Sequence, residues 1–268
     1  MPLPRMQLFE LEDLAWFPQG IRDLATDYLR FMEALFALHK PAVPLVRRLL
    51  EKSGAVQVID LCSGGGGPVL AVYEALVEQG LSVPFTLTDK YPNLEAFRSM
   101  SSLHAAGISY IADSVDATKV PRDLVGLRTM FNSFHHFAPA AARSVLARAV
   151  EAGQPIGIFE IPDRSPATIM LLLFAPLFVA VATPFIRPFR WRRLLWTYVF
   201  PLVPLTSLWD GVVSQWRAYT VEEMLELTRG LGGYEWTAAR VEIEGKIGHL
   251  TYLLGVPKSS APVSILID

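Results

Sequence analysis

The chain has 268 residues, of which 51% are hydrophobic, and this is enough to form the core of one substantial α/β domain. Its 24 basic and 26 acidic side chains give a net charge of −2, which excludes a global positive field that would attract nucleic acid. The single cysteine, Cys62, excludes a disulfide framework and a cysteine-rich metal centre. Because the first residues lack a basic stretch followed by an apolar run, we predict a cytoplasmic protein.

Residues 1–52 predict an N-terminal helical cap, because apolar residues recur at helical spacing from about Gln7 to Leu50. After residue 53, short apolar runs alternate with amphipathic segments. The runs predict five strands, at Val56–Leu61, Pro84–Thr88, Ile108–Ile111, Arg128–Phe131 and Ile156–Phe159. The segments between them predict helices, around Val69–Gln79, Leu94–Ala105 and Ala140–Ala152. Buried strands separated by helices indicate a doubly wound, mostly parallel, Rossmann-like sheet.

The last third of the chain predicts an insertion and then the end of the sheet. Thr220–Leu231 is a predicted helix with a capping box between Thr220 and Glu223. Two strand-like runs follow, Tyr234–Ile243 and His249–Val256, and they should pair antiparallel because the connection is too short for a helix. We therefore predict an α/β domain over 53–256 with a seven-stranded sheet, a lid insertion at 162–218 and a C-terminal tail at 257–268.

A glycine-rich loop follows the first predicted strand, with the sequence Asp60-Leu-Cys-Ser-Gly-Gly-Gly-Gly67. Glycines allow a backbone to turn tightly and to approach a ligand closely, and the helix that follows directs its N–H groups at that ligand. The spacing does not match a nicotinamide-binding loop, and no Gly-Lys-Ser/Thr sequence marks a P-loop. Acidic residues also end the next two strands, at Asp89 and at Asp113 or Asp116.

In this order, these residues resemble the first motifs of the class I S-adenosylmethionine-dependent methyltransferase family, in particular its quinone and small-molecule methyltransferases. Asp60 matches the acidic residue of the family's first motif, and Gly64 and Gly66 match its second and third glycines. Cys62 stands where the first glycine is expected. The resemblance implies S-adenosylmethionine as cofactor, held by residues at the ends of the first four strands, namely Asp60, Cys62, Gly64, Gly66, Asp89, Asp116, Ala117 and Asn132. Among these, Asp89 would bind the ribose hydroxyls and Asp116 the adenine amino group.

The resemblance also implies transfer of a methyl group to a lipophilic small molecule, most simply at a hydroxyl oxygen. The alternative is a non-catalytic cofactor-binding or membrane-interaction protein on the same fold. His135 and His136 end the fourth strand, where either could remove a proton from the acceptor, or one could cap a helix while the other lines the pocket. We predict no metal site, because adjacent histidines are expected to point apart and no carboxylate has ligand spacing. Candidate acceptor-binding residues are Trp16, Glu160, Arg164, Asp210 and Arg217, although an ion pair would explain Asp210 and Arg217 equally well.

The insertion is unusually apolar between residues 167 and 208. Ala167–Ile186 and Leu194–Leu208 contain no charged residue, and four arginines lie between them, at positions 187, 190, 192 and 193. Prolines make a spanning pair of helices a poor fit. Two interpretations stay open. The first is a hairpin on the inner face of the membrane, with the arginines on lipid phosphates. The second is a lid over the acceptor or a homodimer interface. Both predict a hydrophobic acceptor.

Overall fold

The structure is a computed structural model that describes residues 3–245 and 248–258, so the predicted tail lies outside the described residues from position 259 onward. Seven strands form one sheet in the order β3-β2-β1-β4-β5-β7-β6. Their bounds are β1 Val58–Asp60, β2 Phe85–Leu87, β3 Ile108–Tyr110, β4 Leu127–Phe131, β5 Ile156–Glu160, β6 Tyr234–Glu242 and β7 His249–Pro257. β1 to β5 are parallel, and β7 runs antiparallel to both β5 and β6. The predicted mixed sheet is confirmed.

Helices cover both faces of the sheet, and further helices form the N-terminal cap and the insertion. Their bounds are α1 Gln19–Phe36, α2 Ala42–Ser53, α3 Gly67–Glu78, α4 Leu94–Leu103, α5 Pro139–Glu151, α6 Pro166–Leu172, α7 Ala175–Ala182, α8 Trp191–Leu194, α9 Leu202–Arg217 and α10 Val221–Thr228. The predicted capping box at the start of α10 is present, since the Thr220 hydroxyl accepts from the Glu223 N–H and the Glu223 carboxylate accepts from the Thr220 N–H.

Three clusters of buried side chains hold these layers together. One packs α2, α3 and α4 against one face of the sheet and includes the fully buried Val46, Val72 and Phe97. The second packs α5 and α10 against the other face. The third lies away from the sheet, where α1 meets α7 and α9, and includes Leu24 and Val179. The insertion is therefore packed on the N-terminal cap through an apolar contact of its own.

The helical pattern predicted from Gln7 is wrong for the residues before Gln19. In residues 3–17, here called the N-terminal segment, only a single 3-10 turn at Leu11–Asp13 is helical. Tertiary hydrogen bonds hold the rest: the Met6 N–H donates to the Trp216 carbonyl, and the Leu11 N–H donates to the Asp210 carboxylate. These bonds to α9 replace the bonds that a local helix would have made.

Three of the four arginines of the insertion are paired with carboxylates, and the fourth, Arg187, is exposed. Arg193 is 2% exposed and donates to Asp27 on α1 at 2.7 Å. Arg190 lies 3.4 Å from Asp27 and 2.5 Å from Glu95 on α4, and Arg192 lies 3.5 Å from Glu95. The arginines at 190, 192 and 193 thus tie the insertion to the cap and to α4.

More than half of the large apolar side chains that the described residues expose lie between Met170 and Trp209. Within the described residues, no single helix is long and apolar enough to cross a membrane; one bent pair, Pro166–Leu172 with Ala175–Phe185, meets the length and composition requirements with a break of 47°. The uncharged stretches of the insertion therefore form short helices with exposed apolar faces.

Candidate functional site

The strand order reverses between β1 and β4, and in open α/β sheets ligands bind at the carboxyl ends of the strands beside such a reversal. The glycine-rich loop leaves β1 at this point. Its residues Cys62, Gly64 and Gly66 have φ values of +59°, +51° and +73°. All three residues therefore adopt the left-handed backbone region. Glycine enters this region freely, whereas Cys62 enters it although it has a Cβ atom.

The other two glycines of the loop make room for the N-terminal cap. A Cβ at Gly65 would lie 2.9 Å from the Thr26 carbonyl oxygen, and one at Gly67 would lie 2.9 Å from Arg30 Cα, so α1 packs directly against the loop. A Cβ at Gly64 would meet only Thr26 Cγ2 at 3.9 Å. The loop is thus braced from behind by α1, and the space beside Gly64 can accept a ligand.

Asp60 lies beneath the loop and not in the open cleft. It is 1% exposed and accepts hydrogen bonds from the hydroxyls of Ser63 at 2.6 Å and Thr129 at 2.7 Å. Burial raises the pKa of its carboxyl to about 7, because the two neutral hydroxyls offset only part of the loss of solvation. Asp60 therefore braces β1 against β4 and the loop, at the position that the resemblance gives to the motif's acidic residue.

Asp89 joins the end of β2 to the glycine loop. Its Oδ2 accepts from the Gly64 N–H at 2.8 Å and its Oδ1 accepts from the Tyr91 N–H at 2.7 Å. The carboxylate is half-buried. Each oxygen keeps a lone pair beyond these bonds, so the group can accept from two ligand hydroxyls as well. This arrangement fits the role of ribose ligand that the resemblance implies.

The predicted adenine-contact residues lie on the loop that follows β3. Asp116 is half-buried and caps a 3-10 turn by accepting from the Thr118 N–H and hydroxyl at 2.8 and 2.6 Å. Burial acts to raise its pKa, but these bonds dominate and the pKa lies below the usual range. Ala117 is buried, whereas the alternative Asp113 is exposed, so Asp116 is the better placed of the two acids.

Asn132 ties the ends of two strands together. It has a φ of +49°, and its side-chain oxygen accepts from the Ile161 N–H at 2.9 Å while its own N–H donates to the Phe159 carbonyl. The side-chain carbonyl is therefore engaged within the fold, and the residue shapes the edge from which His135 and His136 project.

His135 and Glu160 form a buried pair at the ends of β4 and β5. His135 Nδ1 lies 2.5 Å from Glu160 Oε2, and Glu160 Oε1 accepts from the N–H groups of Ser133 and Phe134 at 2.8 Å each. Burial raises the pKa of Glu160, but the histidine and the backbone donors outweigh it and hold that pKa below its usual range. An ionised Glu160 fixes a proton on His135 Nδ1 and leaves Nε2 to act on another group.

His136 has different surroundings. Its Nδ1 lies 2.8 Å from Asp13 Oδ1 and 3.5 Å from Glu10 Oε2. Burial lowers its pKa, but the two carboxylates outweigh that effect and raise it to about 10. His136 is therefore protonated near neutral pH.

The N-terminal segment covers both histidines. Glu10 is 2% exposed, and its Oε1 lies 3.7 Å from His135 Nε2 and 3.2 Å from Arg217 Nη1. Arg217 is 1% exposed, bonds Asp13 Oδ2 at 2.6 Å, and donates to the carbonyls of both histidines. Glu10 and Asp13 were not predicted as site residues, because nothing local in the sequence places them beside residues that follow more than 120 positions later.

The remaining residues predicted to bind the acceptor do not share one pocket. The alternative of an Asp210–Arg217 ion pair is wrong: Asp210 accepts from the N–H groups of Leu11 and Glu12 at 2.7 and 3.2 Å, while Arg217 binds Glu10 and Asp13.

Arg164 and Trp16 also lie apart from the histidines. Arg164 is buried and donates to Glu223 at 2.8 Å, which ties the start of the insertion to α10. Trp16 is 72% exposed on the surface. In this conformation neither contributes to a common pocket with His135.

A cavity of about 410 Å³ lies between the N-terminal segment, α1 and α9. Its wall is almost entirely apolar and includes Leu11, Phe17, Ile21, Leu205 and Trp209. Leu11 follows Glu10 in the chain, so the cavity adjoins the segment that covers the histidines. Its chemistry suits a lipophilic molecule.

No protein-family model matches the chain, and no curated protein matches it by sequence. Among solved structures, the chain resembles the carbon methyltransferase CurJ, with a TM-score of 0.50 and 12% identity over 83% of this chain and 54% of that one. An O-methyltransferase family protein from Burkholderia thailandensis has a TM-score of 0.49 and 16% identity over 85% of this chain and 59% of that one. Magnesium protoporphyrin IX methyltransferase from Synechocystis, solved with bound SAH, has a TM-score of 0.47 and 11% identity over 83% and 84% of the two chains.

The chain spans little more than half of the CurJ and Burkholderia chains. The strand order, the glycine loop at the reversal and the similarity to CurJ together show that the chain has the fold of the class I S-adenosylmethionine-dependent methyltransferases.

Proposed function

We propose that the protein transfers a methyl group from S-adenosylmethionine to a hydroxyl oxygen of a lipophilic small molecule. The observation that carries this proposal is the buried His135–Glu160 pair at the carboxyl ends of β4 and β5, one strand away from the glycine loop. When bound, the cofactor supplies the electrophilic methyl group. Gly64 and Gly66 would lie against it, Asp89 would accept from its ribose hydroxyls, and Asp116 would accept from its adenine amino group.

His135 is the proposed base. Glu160 holds its Nδ1 proton and thereby leaves the lone pair of Nε2, which faces Glu10 in this structure, for the acceptor. Once the N-terminal segment has moved, Nε2 can take the acceptor's hydroxyl proton as the oxygen attacks the methyl carbon. While the N-terminal segment covers the site, Glu10 and Asp13 raise the pKa of His136 to about 10, so in this state His136 is protonated near neutral pH and does not fit this role. Glu160 is a positioning residue that also stabilises the imidazolium formed on His135.

The acceptor must reach an atom that is almost completely enclosed, since only 2% of His135 is exposed. The N-terminal segment covers it, so binding of the acceptor requires this segment to move away from Glu10's present position. The neighbouring apolar cavity at Leu11 and Trp209 would hold the hydrophobic part of the acceptor. A polar acceptor would lose solvation there without finding hydrogen-bond partners.

A second proposal concerns location. The exposed apolar side chains between Met170 and Trp209 favour peripheral contact with a membrane, from which a lipophilic acceptor could be drawn. Because the arginines at 190, 192 and 193 are paired with Asp27 and Glu95, we expect apolar side chains to dominate this contact. A purely non-catalytic or membrane-interaction role is less favoured, because it leaves the buried His135–Glu160 pair without a use.

Calorimetric titration with S-adenosylmethionine and S-adenosylhomocysteine tests the cofactor assignment. We expect saturable binding by the unaltered protein, at least tenfold weaker binding by Asp89→Asn, and no change in the exposed control Asp123→Asn. Transfer of a radiolabelled methyl group to a panel of quinols and phenols then tests the base. His135→Gln should bind cofactor normally and lose at least 100-fold in turnover. Absence of cofactor binding by folded protein, or full turnover by His135→Gln, would contradict the proposal.

A further inference from the structure

Three potential metal-ligating side chains converge where the N-terminal segment meets the end of β4. One potential ligand atom from each of Glu10, His135 and His136 lies within 4.8 Å of the other two. The expectation that the two adjacent histidines point apart is wrong, because their ring centroids are 4.5 Å apart with an angle of 31° between the planes. Both rings face the same carboxylate.

We propose that Glu10, His135 and His136 form a binding site for a divalent first-row transition-metal ion. Two imidazoles and one carboxylate are a donor set that suits Zn²⁺, Co²⁺ or Fe²⁺ and does not suit Mg²⁺ or Ca²⁺, which prefer oxygen ligands. The proposal concerns ion binding and does not depend on methyl transfer.

The distances fit such an ion. Ligand bonds of about 2.0–2.2 Å place neighbouring donors of a tetrahedral site roughly 3.4 Å apart. His135 Nε2 lies 3.7 Å from Glu10 Oε1, and His136 Nδ1 lies 3.5 Å from Glu10 Oε2. Only small side-chain movements would therefore bring the three groups onto one ion. Asp13 Oδ1 lies 2.8 Å from His136 Nδ1 and is a further carboxylate oxygen beside these donors.

A second observation points to a ligand at this place. Glu10 is 2% exposed, and its Oε1 is buried without a hydrogen-bond partner, although Arg217 lies 3.2 Å away. Burying a carboxylate oxygen without a hydrogen bond is costly, and here, among the described residues, only the ion pair with Arg217 offsets that cost. An ion between Oε1 and His135 Nε2 would give this oxygen a direct ligand bond.

The surroundings hold the donors in place. Glu160 on His135 Nδ1 leaves Nε2 free to coordinate, and a carboxylate on the other ring nitrogen is the usual support of a metal-bound histidine. Arg217 fixes the backbone of both histidines through their carbonyls. Binding would release to solvent the proton that His136 shares with Asp13. Because the ion would occupy His135 Nε2, the metal-loaded protein should lose the proposed base.

Titration of the tag-free, chelator-treated protein with Co²⁺, without cofactor, tests the site through the visible absorption of the bound ion, and Zn²⁺ should displace it. We expect one ion per chain and at least tenfold weaker binding in both Glu10→Gln and His136→Gln. His104→Gln is the matched control, because His104 pairs with Glu74 at 3.0 Å on a different part of the fold. Its binding should equal that of the unaltered protein.

The proposal is overturned if no saturable spectrum develops, if both site variants bind as the unaltered protein does, or if the control loses binding equally. Should Glu10→Gln fail to fold, the ring signals of the five histidines in the unaltered chain decide the matter by NMR. Zn²⁺ must then shift the signals of His135 and His136 and leave those of His39, His104 and His249 in place. These readouts require neither cofactor nor turnover, so their failure is separate from failure of the proposed function.

Discussion

At the scale of single residues, two completely buried carboxyls a few strands apart show how local donors determine charge. Burial alone raises the pKa of both. Glu160 receives two backbone N–H bonds and a histidine, which reverse the effect of burial and lower its pKa. Asp60 receives only the hydroxyls of Ser63 and Thr129, and its pKa stays raised, at about 7. The ionised Glu160 carboxylate can therefore stabilise a cation, whereas the Asp60 carboxyl holds β1, β4 and the glycine loop together.

Asp60 predicts a pH dependence of stability. Its pKa is about 7 in the folded state and 3.8 as a reference for the unfolded chain, so folding favours the protonated form. The associated stabilisation is complete below pH 3.8 and is lost as the pH rises through 7, with a slope of up to about 1.4 kcal/mol per pH unit. Asp210, with a pKa raised to about 7 by burial, adds an effect of the same sign.

Urea unfolding without cofactor, at pH 5 and pH 8, measures this effect. We expect the unaltered protein to be more stable at pH 5, and Asp60→Asn to show a smaller difference between the two conditions, because it removes one titrating group. Asp123→Asn serves as the exposed control. Parallel pH profiles for the unaltered protein and Asp60→Asn would contradict the assignment of Asp60 as the group responsible.

Some residues of the candidate site could be proposed from the sequence, whereas others could not. Asp60 and Gly64 at the end of β1, and Asp89 after β2, could be proposed because they lie within recognisable local patterns. Glu10 and Asp13 could not, because the bond from Asp13 to His136 joins positions 123 residues apart. Charge patterns along a chain do not encode such distant pairs, and only the fold brings them together.

At the scale of elements, the arginine cluster at residues 187–193 also has partners that are distant in sequence. An arginine run between two apolar stretches indicates lipid phosphates when it is considered alone. The fold instead places Asp27 of α1 and Glu95 of α4 beside it, so that α8 is fastened to two helices distant in sequence. The helices and strands themselves were predictable, because each has its own apolar period and its own boundary residues; the contacts between them were not.

The attachment of α8 to α1 predicts that replacing Asp27 alone strongly lowers the free energy of unfolding. Asp27→Asn keeps the shape of the side chain but leaves Arg193, 2% exposed, without its ionic partner. Removing one partner of a buried ion pair lowers the free energy of unfolding by about 3–5 kcal/mol. Denaturant unfolding should show this loss, and trypsin should cut the region around Arg187 and Arg190 faster.

The matched control is Arg229→Gln, whose pair with Glu226 lies at the surface. Exposed pairs contribute about 0–1 kcal/mol, so this variant should unfold almost as the unaltered protein does. If Asp27→Asn were as stable as the control and equally resistant to trypsin, α8 would not be anchored by this pair.

At the scale of the whole molecule, polar and apolar surface are unevenly distributed. The sheet with its covering helices buries its apolar side chains in two clusters, whereas the insertion exposes many of its own. We therefore propose that the exposed faces of α6, α7 and the residues up to α9 contact a partner of low polarity. A bilayer and a second copy of the chain are two of the candidates that the sequence left open, beside a lid over the acceptor.

Vesicle sedimentation distinguishes these two candidates. Because the arginines at 190, 192 and 193 are bonded to carboxylates, we expect binding to vesicles of zwitterionic phosphatidylcholine that changes little with salt. Replacing Phe174 and Leu177 together by serine should reduce binding at least tenfold, since these side chains are 57% and 60% exposed on the insertion. The control carries serine at Val56 and Leu103, which are 80% and 72% exposed elsewhere, and it should bind normally. Binding confined to anionic vesicles and abolished by salt would contradict an apolar contact. The protein could instead bind no vesicles and sediment as a dimer without lipid. If that dimer dissociated in the Phe174 and Leu177 double variant, this face would join two copies of the chain.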